Sequence, residues 1–364
     1  MLRVRDRLSA PGRLPGVDLA RGLAVLGMLA AHLLAIQPFS WGEPASWLAL
    51  VEGRSSILFA LLAGVSIALT TGGSEPVRGL RAGLARRRLL VRAAALWVLG
   101  ILLIVTGVPV YVILPTYALL FVIATALVTL RAPALFAVAG ALLVTMPFVQ
   151  AALGLLPLWQ TDGGTLLGYL IGWAYPFPLW AGYLAAGLAI GRIDLRAPRT
   201  AWRLLGAGTA LAAIGYGLGG VWASAGWSDS SGFAEVVTSM APHSGGLPEA
   251  LGSTGFVVAV PALCLLVCPP GGRSPAAIVL WPLRATGSMP LTAYTLQLVI
   301  WAVWAFIALG DTTDLYGFRA LDPFWPIALA VVVACTTWAA LVGRGPLEQA
   351  LNTVTRAIVR AGSS

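Results

Sequence analysis

Three ionisable side chains lie within the first long apolar stretch of the sequence, GVDLARGLAVLGMLAAHLL, which covers residues 16–34. Asp18, Arg21 and His32 share one face of a helix, because their separations are close to whole turns of about 3.6 residues. A histidine exchanges a proton near neutral pH, and an arginine holds phosphate or carboxylate groups. The spacing therefore predicts a proton-transfer group and an anion-binding group on one polar face, with about 16 Å of helix between Arg21 and His32.

Such residues are costly inside a membrane, at about 2.5–3.5 kcal/mol for a charge at the centre of a spanning helix. They commonly face a protein interior or a water-filled cavity. Structural interpretations stay open for two of them, since Asp18 could cap the helix at the interface and Arg21 could extend to the same interface. His32 has few structural uses on a spanning helix, which favours a functional role.

The composition indicates the class of protein that carries this helix. Of the 364 residues, 59% are hydrophobic and only 10% are charged, which is typical of a polytopic membrane protein within a lipid bilayer. The net charge of +9 does not indicate nucleic-acid binding, because the arginines fall in short loops and at the termini. Cys264, Cys268 and Cys335 lie in apolar runs and are interpreted as small buried residues, with no disulfide or metal role.

Apolar segments long enough to span a bilayer predict an all-α, polytopic integral membrane protein of about ten transmembrane helices. The expected spans are residues 17–37, 54–72, 89–107, 110–130, 133–154, 165–191, 201–222, 249–269, 286–308 and 324–343. Residues 1–343 are predicted to form a single transmembrane domain. Residues 344–364 are predicted to form an amphipathic helix on the cytoplasmic surface, with its apolar side at Leu347, Leu351, Val354 and Ile358.

The distribution of arginines predicts the orientation. An even number of spans puts both termini on one side, and nearly all the arginines fall in the segments on that side. The segments on the opposite side contain only two arginines, Arg54 and Arg319, and most of the acidic residues. The positive-inside rule therefore predicts cytoplasmic termini and an extracytoplasmic 223–248 loop, with Arg21 in the inner half of the first span and His32 near its outer end.

Other polar residues are expected at the two faces. His243 lies in the 223–248 loop and Glu249 follows it, while Glu52 and Arg54 begin the second span at the same face. His243 could equally be an ordinary exposed loop residue. Tyr175 precedes Pro176 and Pro178, which are expected to break a helix near the outer face.

On the cytoplasmic side, Arg86, Arg87 and Arg88 form a cluster that is also explained by topology alone. Ser288 and Thr292 open the ninth span, where polar contacts between helices are the common explanation. Gly187 and Gly191 form a G-x-x-x-G pair, which predicts a helix-packing face.

Several segments resemble a known superfamily. The opening GVDLARGLAVLGMLAAH resembles the start of the membrane acyltransferases that include heparan-alpha-glucosaminide N-acetyltransferase and the bacterial enzymes that O-acylate surface polysaccharides, and His32 resembles the polar residue of the bacterial enzymes. FALLAGVSI resembles the second-span glycine motif. AYPFPLWAGYLAAGLAIGR, APHSGGLPEALGSTG, LRATGSMPLTAYTLQ and GRGPLEQ resemble segments of a poorly characterised bacterial branch, in the same order.

This resemblance implies an acyltransferase of the bacterial cytoplasmic membrane that uses cytoplasmic acyl-CoA, with acetyl-CoA as the expected donor and no metal. The acceptor would be a hydroxyl or amine of an extracytoplasmic glycan or lipid-linked molecule. His32 would be the general base or a transient acyl carrier, with His243 as the alternative base, and Asp18 would fix Arg21 through an i, i+3 pair.

The remaining candidates divide between donor and acceptor. The donor side would comprise Arg21, Arg86, Arg87, Arg88, Ser288 and Thr292, and the acceptor side His243, Glu249, Arg54, Glu52 and Tyr175. The rival hypothesis is a proton-coupled transporter or exporter, which the intramembrane charges and proline-interrupted helices would also suit. An internal repeat would favour the transporter, and the sequence shows no such repeat. Homo-oligomerisation is left open.

Overall fold

The computed structural model describes residues 13–40, 42–227, 232–271 and 274–361, which contain helices and no β-strand. The helices are α1 (Pro15–Leu33), α2 (Arg54–Thr70), α3 (Gly79–Ile104), α4 (Leu114–Leu127), α5 (Ala132–Gly154), α6 (Asp162–Ile171), α7 (Phe177–Gly191), α8 (Pro198–Ser224), α9 (Phe233–Thr238), α10 (Leu247–Val267), α11 (Pro275–Val279), α12 (Trp281–Ser288), α13 (Pro290–Leu309), α14 (Leu315–Arg319), α15 (Phe324–Leu341) and α16 (Pro346–Ala361). Short 3-10 helices cover Pro44–Leu50 and Pro157–Gln160. The predicted all-α class is confirmed.

Within these ranges, 7 helical segments are long and apolar enough to cross a membrane. They are α1, Ser46–Thr70 with α2, α5, α8, α10, α13 and α15. The other three expected spans correspond to α3, which carries a run of arginines in its first half, and to the shorter apolar helices α4 and α7. The chain is therefore a multi-pass membrane protein.

The structure divides the expected span at residues 165–191 into α6 and α7, and the helix break expected at Pro176 lies between them. Gly172 ends α6 in the left-handed conformation with φ 67°, which glycine adopts without a Cβ clash. Pro176 then precedes α7, and Pro178 occupies its first turn. The segment 286–308 is likewise two helices, since Met289 separates α12 from α13.

The chain folds into two compact units. The first unit consists of the described residues of Met1–Phe59, Leu99–Val112 and Pro261–Ala357. Within it, α1 packs backbone to backbone against α12: a Cβ at Gly22 would overlap the Leu283 carbonyl, and a Cβ at Gly287 would overlap the Asp18 carbonyl. Glycine at both contact points therefore lets α12 approach the polar start of α1.

The second unit consists of Ala60–Val98, Ile113–Val260 and the described residues that follow Ala357. Its most buried helix is α7, in which every residue from Leu179 to Gly191 is buried. A Cβ at Gly187 would overlap the Leu61 carbonyl, and one at Gly191 would meet Val65 and Ala68. The predicted packing role of the G-x-x-x-G pair is confirmed, because these glycines let α7 lie directly against the second half of α2.

Arg192, which the sequence presents as an orientation signal, is buried in the second unit with 3% of its surface exposed. Its guanidinium donates to the carbonyls of Ala68 (2.9 Å), Thr71 (3.0 Å), Gly73 (2.9 Å) and Val128 (2.6 Å). Several of these carbonyls belong to helix ends, where the last turn lacks intrahelical donors. Arg192 therefore satisfies the ends of α2 and α4 as well as carrying a charge.

The predicted C-terminal amphipathic helix is present as α16. Two residues of its predicted apolar side are exposed, Val354 at 46% and Ile358 at 53%, and the other two, Leu347 and Leu351, are half-buried, whereas Thr355 is only 3% exposed. The face that α16 turns towards the protein is thus offset from the apolar stripe. This leaves apolar side chains available for the membrane interface, where interfacial helices bury them.

Candidate functional site

The polar start of α1 is organised around the carboxylate of Asp18, which is 3% exposed. Its Oδ2 accepts a hydrogen bond from Nε of Arg13 at 2.6 Å, and its Oδ1 accepts one from Nη1 of Arg21 at 3.0 Å. Both contacts are also ion pairs. A buried carboxylate that is shared by two guanidinium groups fixes their positions, so the predicted Asp18–Arg21 pair is confirmed and a second partner is added.

A third guanidinium completes this cluster. Arg284 lies on α12, is 1% exposed and interacts electrostatically with Asp18 and Arg13. Its Nη1 donates to the Ala277 carbonyl at 2.6 Å. The glycine contacts between α1 and α12 bring Arg284 to this place. We call Arg13, Asp18, Arg21 and Arg284 the basic cluster, which has three positive charges and one negative charge.

Glu348, at the start of α16, binds the first turn of α13. Its carboxylate accepts hydrogen bonds from the backbone N–H of Leu291 (2.8 Å) and of Thr292 (3.2 Å), and from the Thr292 hydroxyl (2.6 Å). An anion is stabilised there because the first turn of a helix has unpaired N–H groups and a partial positive charge. Glu348 also acts electrostatically on Arg21, so α16 contributes a charge near the basic cluster.

The hydroxyl groups of Ser288 and Thr292, which are predicted to bind the donor, both form hydrogen bonds within the protein. Thr292 holds Glu348, and Ser288 donates to the Ala285 carbonyl at 2.7 Å within α12. Both lie in the first unit with Arg21. The structure brings these three predicted donor residues into one unit, and their role in binding stays a prediction.

At the other end of α1, His32 is half-buried in the last turn. The guanidinium of Arg319 on α14 donates to the His32 carbonyl from Nε at 3.0 Å and from Nη2 at 2.6 Å. The last carbonyls of a helix lack intrahelical donors, and a cation there also complements the helix dipole. Arg319 thus anchors the backbone that carries the imidazole.

A separate polar cluster lies in the second unit, where Glu249 sits in the first turn of α10. The carboxylate is 3% exposed and accepts hydrogen bonds from the backbone N–H of His243 (2.9 Å) and of Gly245 (2.7 Å). His243 has φ 63°, a left-handed conformation that is uncommon outside glycine. Glu249 therefore holds a strained turn that presents His243.

The His243 ring contacts an aromatic group. Its centroid lies 5.9 Å from that of Tyr175, which in turn lies 5.1 Å from Trp180. Part of the His243 surface is open to solvent, but protein atoms surround much of the residue. They desolvate the imidazole and lower its pKa. A lower pKa favours the neutral imidazole, which is the form that accepts a proton. The structure thus brings together three predicted acceptor residues, His243, Glu249 and Tyr175.

The three consecutive arginines of α3 do not converge on a single binding cluster. Arg86, Arg87 and Arg88 are all exposed in the second unit, and Nε of Arg86 donates to the Thr125 carbonyl at 2.9 Å. Consecutive residues of a helix point about 100° apart, so the three side chains leave α3 in different directions. A role for them in donor binding stays a prediction.

Glu52 and Arg54 are half-buried in the first unit at the start of α2. Nη1 of Arg54 donates to the Ala49 carbonyl at 3.0 Å, which lies in the preceding 3-10 helix. Arg54 therefore supports the local backbone, as Arg319 does at His32. The predicted acceptor role of Glu52 and Arg54 stays a prediction.

The sequence matches two known protein families. Residues 13–217 match the family described as heparan-alpha-glucosaminide N-acetyltransferase, catalytic, and the matched part includes all of α1. The chain belongs to this family. The predicted superfamily is confirmed, and membership in the heparan-alpha-glucosaminide N-acetyltransferase catalytic family implies a transferase of the acyltransferase type. Residues 193–357 also match a family described as protein of unknown function (DUF418), and no curated protein matches the chain.

The sequence analysis assigned no site role to four charged residues that the structure places in or beside these polar clusters, namely Arg13, Arg284, Glu348 and Arg319. Glu348 lies in the GRGPLEQ segment, which carried the resemblance but was assigned no chemistry. Arg319 offered a signal, because it is one of two arginines on the side that the charge pattern leaves nearly free of them. Nothing in the sequence distinguishes Arg13 or Arg284 from the other arginines counted as orientation signals.

Proposed function

We propose that the protein transfers an acyl group from cytoplasmic acyl-CoA, with acetyl-CoA as the donor, to a hydroxyl or amine of an extracytoplasmic glycan or lipid-linked acceptor. The observation that carries the proposal is that α1, within the part matched to the acetyltransferase family, has the basic cluster at its start and a histidine in its last turn. About 16 Å of helix separates Arg21 from His32. That distance is about half the hydrocarbon thickness of a bilayer.

The basic cluster suits the donor. Coenzyme A is polyanionic, and guanidinium groups bind phosphate with paired hydrogen bonds. The three arginines of the basic cluster outnumber its one carboxylate by two charges. Asp18 forms ion pairs with two of these arginines, Arg13 and Arg21, and so fixes their positions. Arg21 donates to Asp18 from Nη1 at 3.0 Å, and its guanidinium is a planar, permanently charged group of the kind that binds phosphate. The proposal assigns Arg21 to the donor phosphates.

His32 suits the acceptor step. In the proposed reaction its imidazole takes the proton of the acceptor O–H or N–H as that atom attacks the thioester carbonyl. The C–S bond then breaks, and the leaving thiolate of coenzyme A receives the proton from the imidazolium. The products are the acylated acceptor, coenzyme A with a free thiol, and the neutral His32.

His32 is preferred over His243 as the base because of what supports each ring. His32 belongs to a packed helix whose last turn is held by Arg319, whereas His243 belongs to a turn before α10. Accurate positioning of reacting groups favours rigid elements. The proposal assigns His243, with Glu249 and Tyr175, to recognition of the acceptor, since an aromatic ring beside polar groups suits a sugar-like molecule.

The function is tested by the thermal stability of the purified protein with acyl-CoA. A ligand that binds only the folded state stabilises it by about 2.7 kcal/mol at a hundredfold excess over Kd. We expect acetyl-CoA to raise Tm in a saturable way, and equal concentrations of acetate and ATP to have a smaller effect. A Tm that responds equally to ATP and acetyl-CoA would leave the basic cluster as a general polyanion site and contradict the proposed donor.

The proposed sidedness follows from the arginine distribution and places both termini in the cytoplasm of a bacterial cell. Ser74 and Ala225 are both exposed and lie in loops assigned to opposite sides. The native cysteines Cys264, Cys268 and Cys335 are buried, so they give little background. We expect an impermeant maleimide to label Ala225→Cys in intact spheroplasts and to label Ser74→Cys only after lysis. The reverse pattern would invert the proposed direction of transfer.

A further inference from the structure

The second unit contains a groove of about 480 Å³ that none of the residues discussed above uses. It is bounded by α5, α7, α8 and α10, and its lining is almost entirely apolar. Small side chains create the space, among them Ala139, Gly140, Ala186 and Ala207. The volume lies in the range of about 300–1,000 Å³ that is usual for sites of small molecules.

The groove is polar at one end only. On α8 its lining runs as a single stripe from Thr200 and Arg203 through Ala207 to Leu211. The helix rises about 16 Å between Thr200 and Leu211, so the stripe is about as long as one leaflet of a bilayer core about 30 Å thick. Thr254 lies deeper in the lining, but its hydroxyl already donates to the Ala250 carbonyl at 2.6 Å.

The groove opens on helices that are little covered by protein. Only 22% of the spanning part of α5 and 17% of that of α8 are buried, and Phe136, Gly140 and Arg203 are exposed. Surfaces of this kind face lipid in a multi-pass protein. A lipid molecule can therefore move into the groove sideways from the bilayer.

The charge at the polar end selects the kind of lipid. Arg203 lies in the first two turns of α8, and Arg196 and Arg199 are just before and at its start. Within the described residues no carboxylate forms an ion pair with Arg203. A basic residue near a membrane surface attracts an anionic lipid by about 1 kcal/mol. Charge and shape together thus match a negatively charged headgroup with a hydrocarbon chain below it.

We propose that this groove binds an anionic phospholipid of the adjoining leaflet, with one acyl chain along the α8 stripe and its phosphate at Arg203. The site is separate from the basic cluster of the first unit, and its assignment does not depend on the proposed acyl transfer. The lipid is a bound structural or regulatory ligand, and no bond is made or broken.

Two pairs of variants test the proposal. Gly140→Leu places a side chain into the groove, while Gly206→Leu is its control on α8 outside the lining; a Cβ at either position meets nothing within 4 Å. Arg203→Gln removes the charge at the polar end, while Arg199→Gln removes a neighbouring exposed charge that does not line the groove. The measurements are Tm and retained lipid by native mass spectrometry, on delipidated protein titrated with dioleoylphosphatidylglycerol or dioleoylphosphatidylcholine.

We expect phosphatidylglycerol to raise Tm in a saturable way, and to do so more than phosphatidylcholine. Arg203→Gln should weaken that binding about fivefold, which corresponds to the attraction of one basic residue. Gly140→Leu should abolish it, and both controls should match wild type. Binding that survives in Gly140→Leu, or equal binding of the two lipids with no effect of Arg203→Gln, would overturn the proposal. Stabilisation by oleate but not by phosphatidylglycerol would assign the groove to a free fatty acid and overturn it as well.

Discussion

Replacement of His32 by alanine is expected to lower the turnover of acyl transfer about 10²- to 10⁴-fold, the usual contribution of a general base. The fold should persist, because the two hydrogen bonds from Arg319 go to the main-chain carbonyl of residue 32 and not to the imidazole. Donor binding should also persist, since the basic cluster lies about three turns away along α1. The measurements are kcat with labelled acetyl-CoA and the Kd of the donor for the same purified variant.

His243→Ala is the matched control for that experiment. It removes the other histidine of the chain, which the proposal assigns to acceptor recognition. We expect it to raise the KM of the acceptor more than it lowers kcat, which is the pattern of a lost binding contact. If instead His243→Ala lost the larger part of kcat while His32→Ala kept it, the base would lie in the second unit.

The second large effect is expected at Arg21. Arg21→Gln should weaken the binding of acetyl-CoA roughly tenfold to a hundredfold, because a hydrogen bond to a charged group contributes about 1.5–3 kcal/mol. The buried Asp18 keeps its bond from Arg13 at 2.6 Å, so the carboxylate is not left without a counter-ion and the variant should fold. The measurement is the donor Kd from the dependence of Tm on acetyl-CoA concentration.

Arg356→Gln serves as the control for Arg21→Gln. Arg356 is an exposed arginine on α16, in the same unit, and its Nε donates to the Asn352 carbonyl of its own helix at 3.3 Å. Its removal subtracts the same charge without touching the basic cluster. An equal loss of donor affinity in both variants would indicate general electrostatic attraction, and an unchanged Kd in Arg21→Gln would reduce Arg21 to a structural role.

Local patterns in the sequence predicted much of the fold. The apolar stretch with Asp18, Arg21 and His32 is a helix, and the Asp18–Arg21 pair forms because residues three apart meet on a helix surface. The Gly187–Gly191 pair packs as its spacing predicts. These features depend on residues close together in the chain or on one helix face, which is the information that periodicity contains.

The parts that the sequence did not predict depend on distant contacts. Arg284 reaches the Asp18 cluster only because Gly22 and Gly287 let two helices approach, and Glu348 meets Thr292 across more than fifty residues of chain. Each looks like an ordinary loop or tail charge when read along the chain. The break between α6 and α7 was visible as Pro176, yet apolar length alone merged the two helices.

The central claim is that the protein transfers an acyl group directly from a cytoplasmic donor to an acceptor beyond the membrane, with His32 on α1 as the base. Sealed inside-out membrane vesicles test it directly, because labelled acetyl-CoA added outside reaches only the cytoplasmic face. Vesicles with the wild-type protein should transfer label to an acceptor that becomes accessible only after the vesicles are opened, and vesicles with an equal amount of folded His32→Ala should transfer at least about a hundredfold less. Transfer by His32→Ala at the wild-type rate would contradict the account.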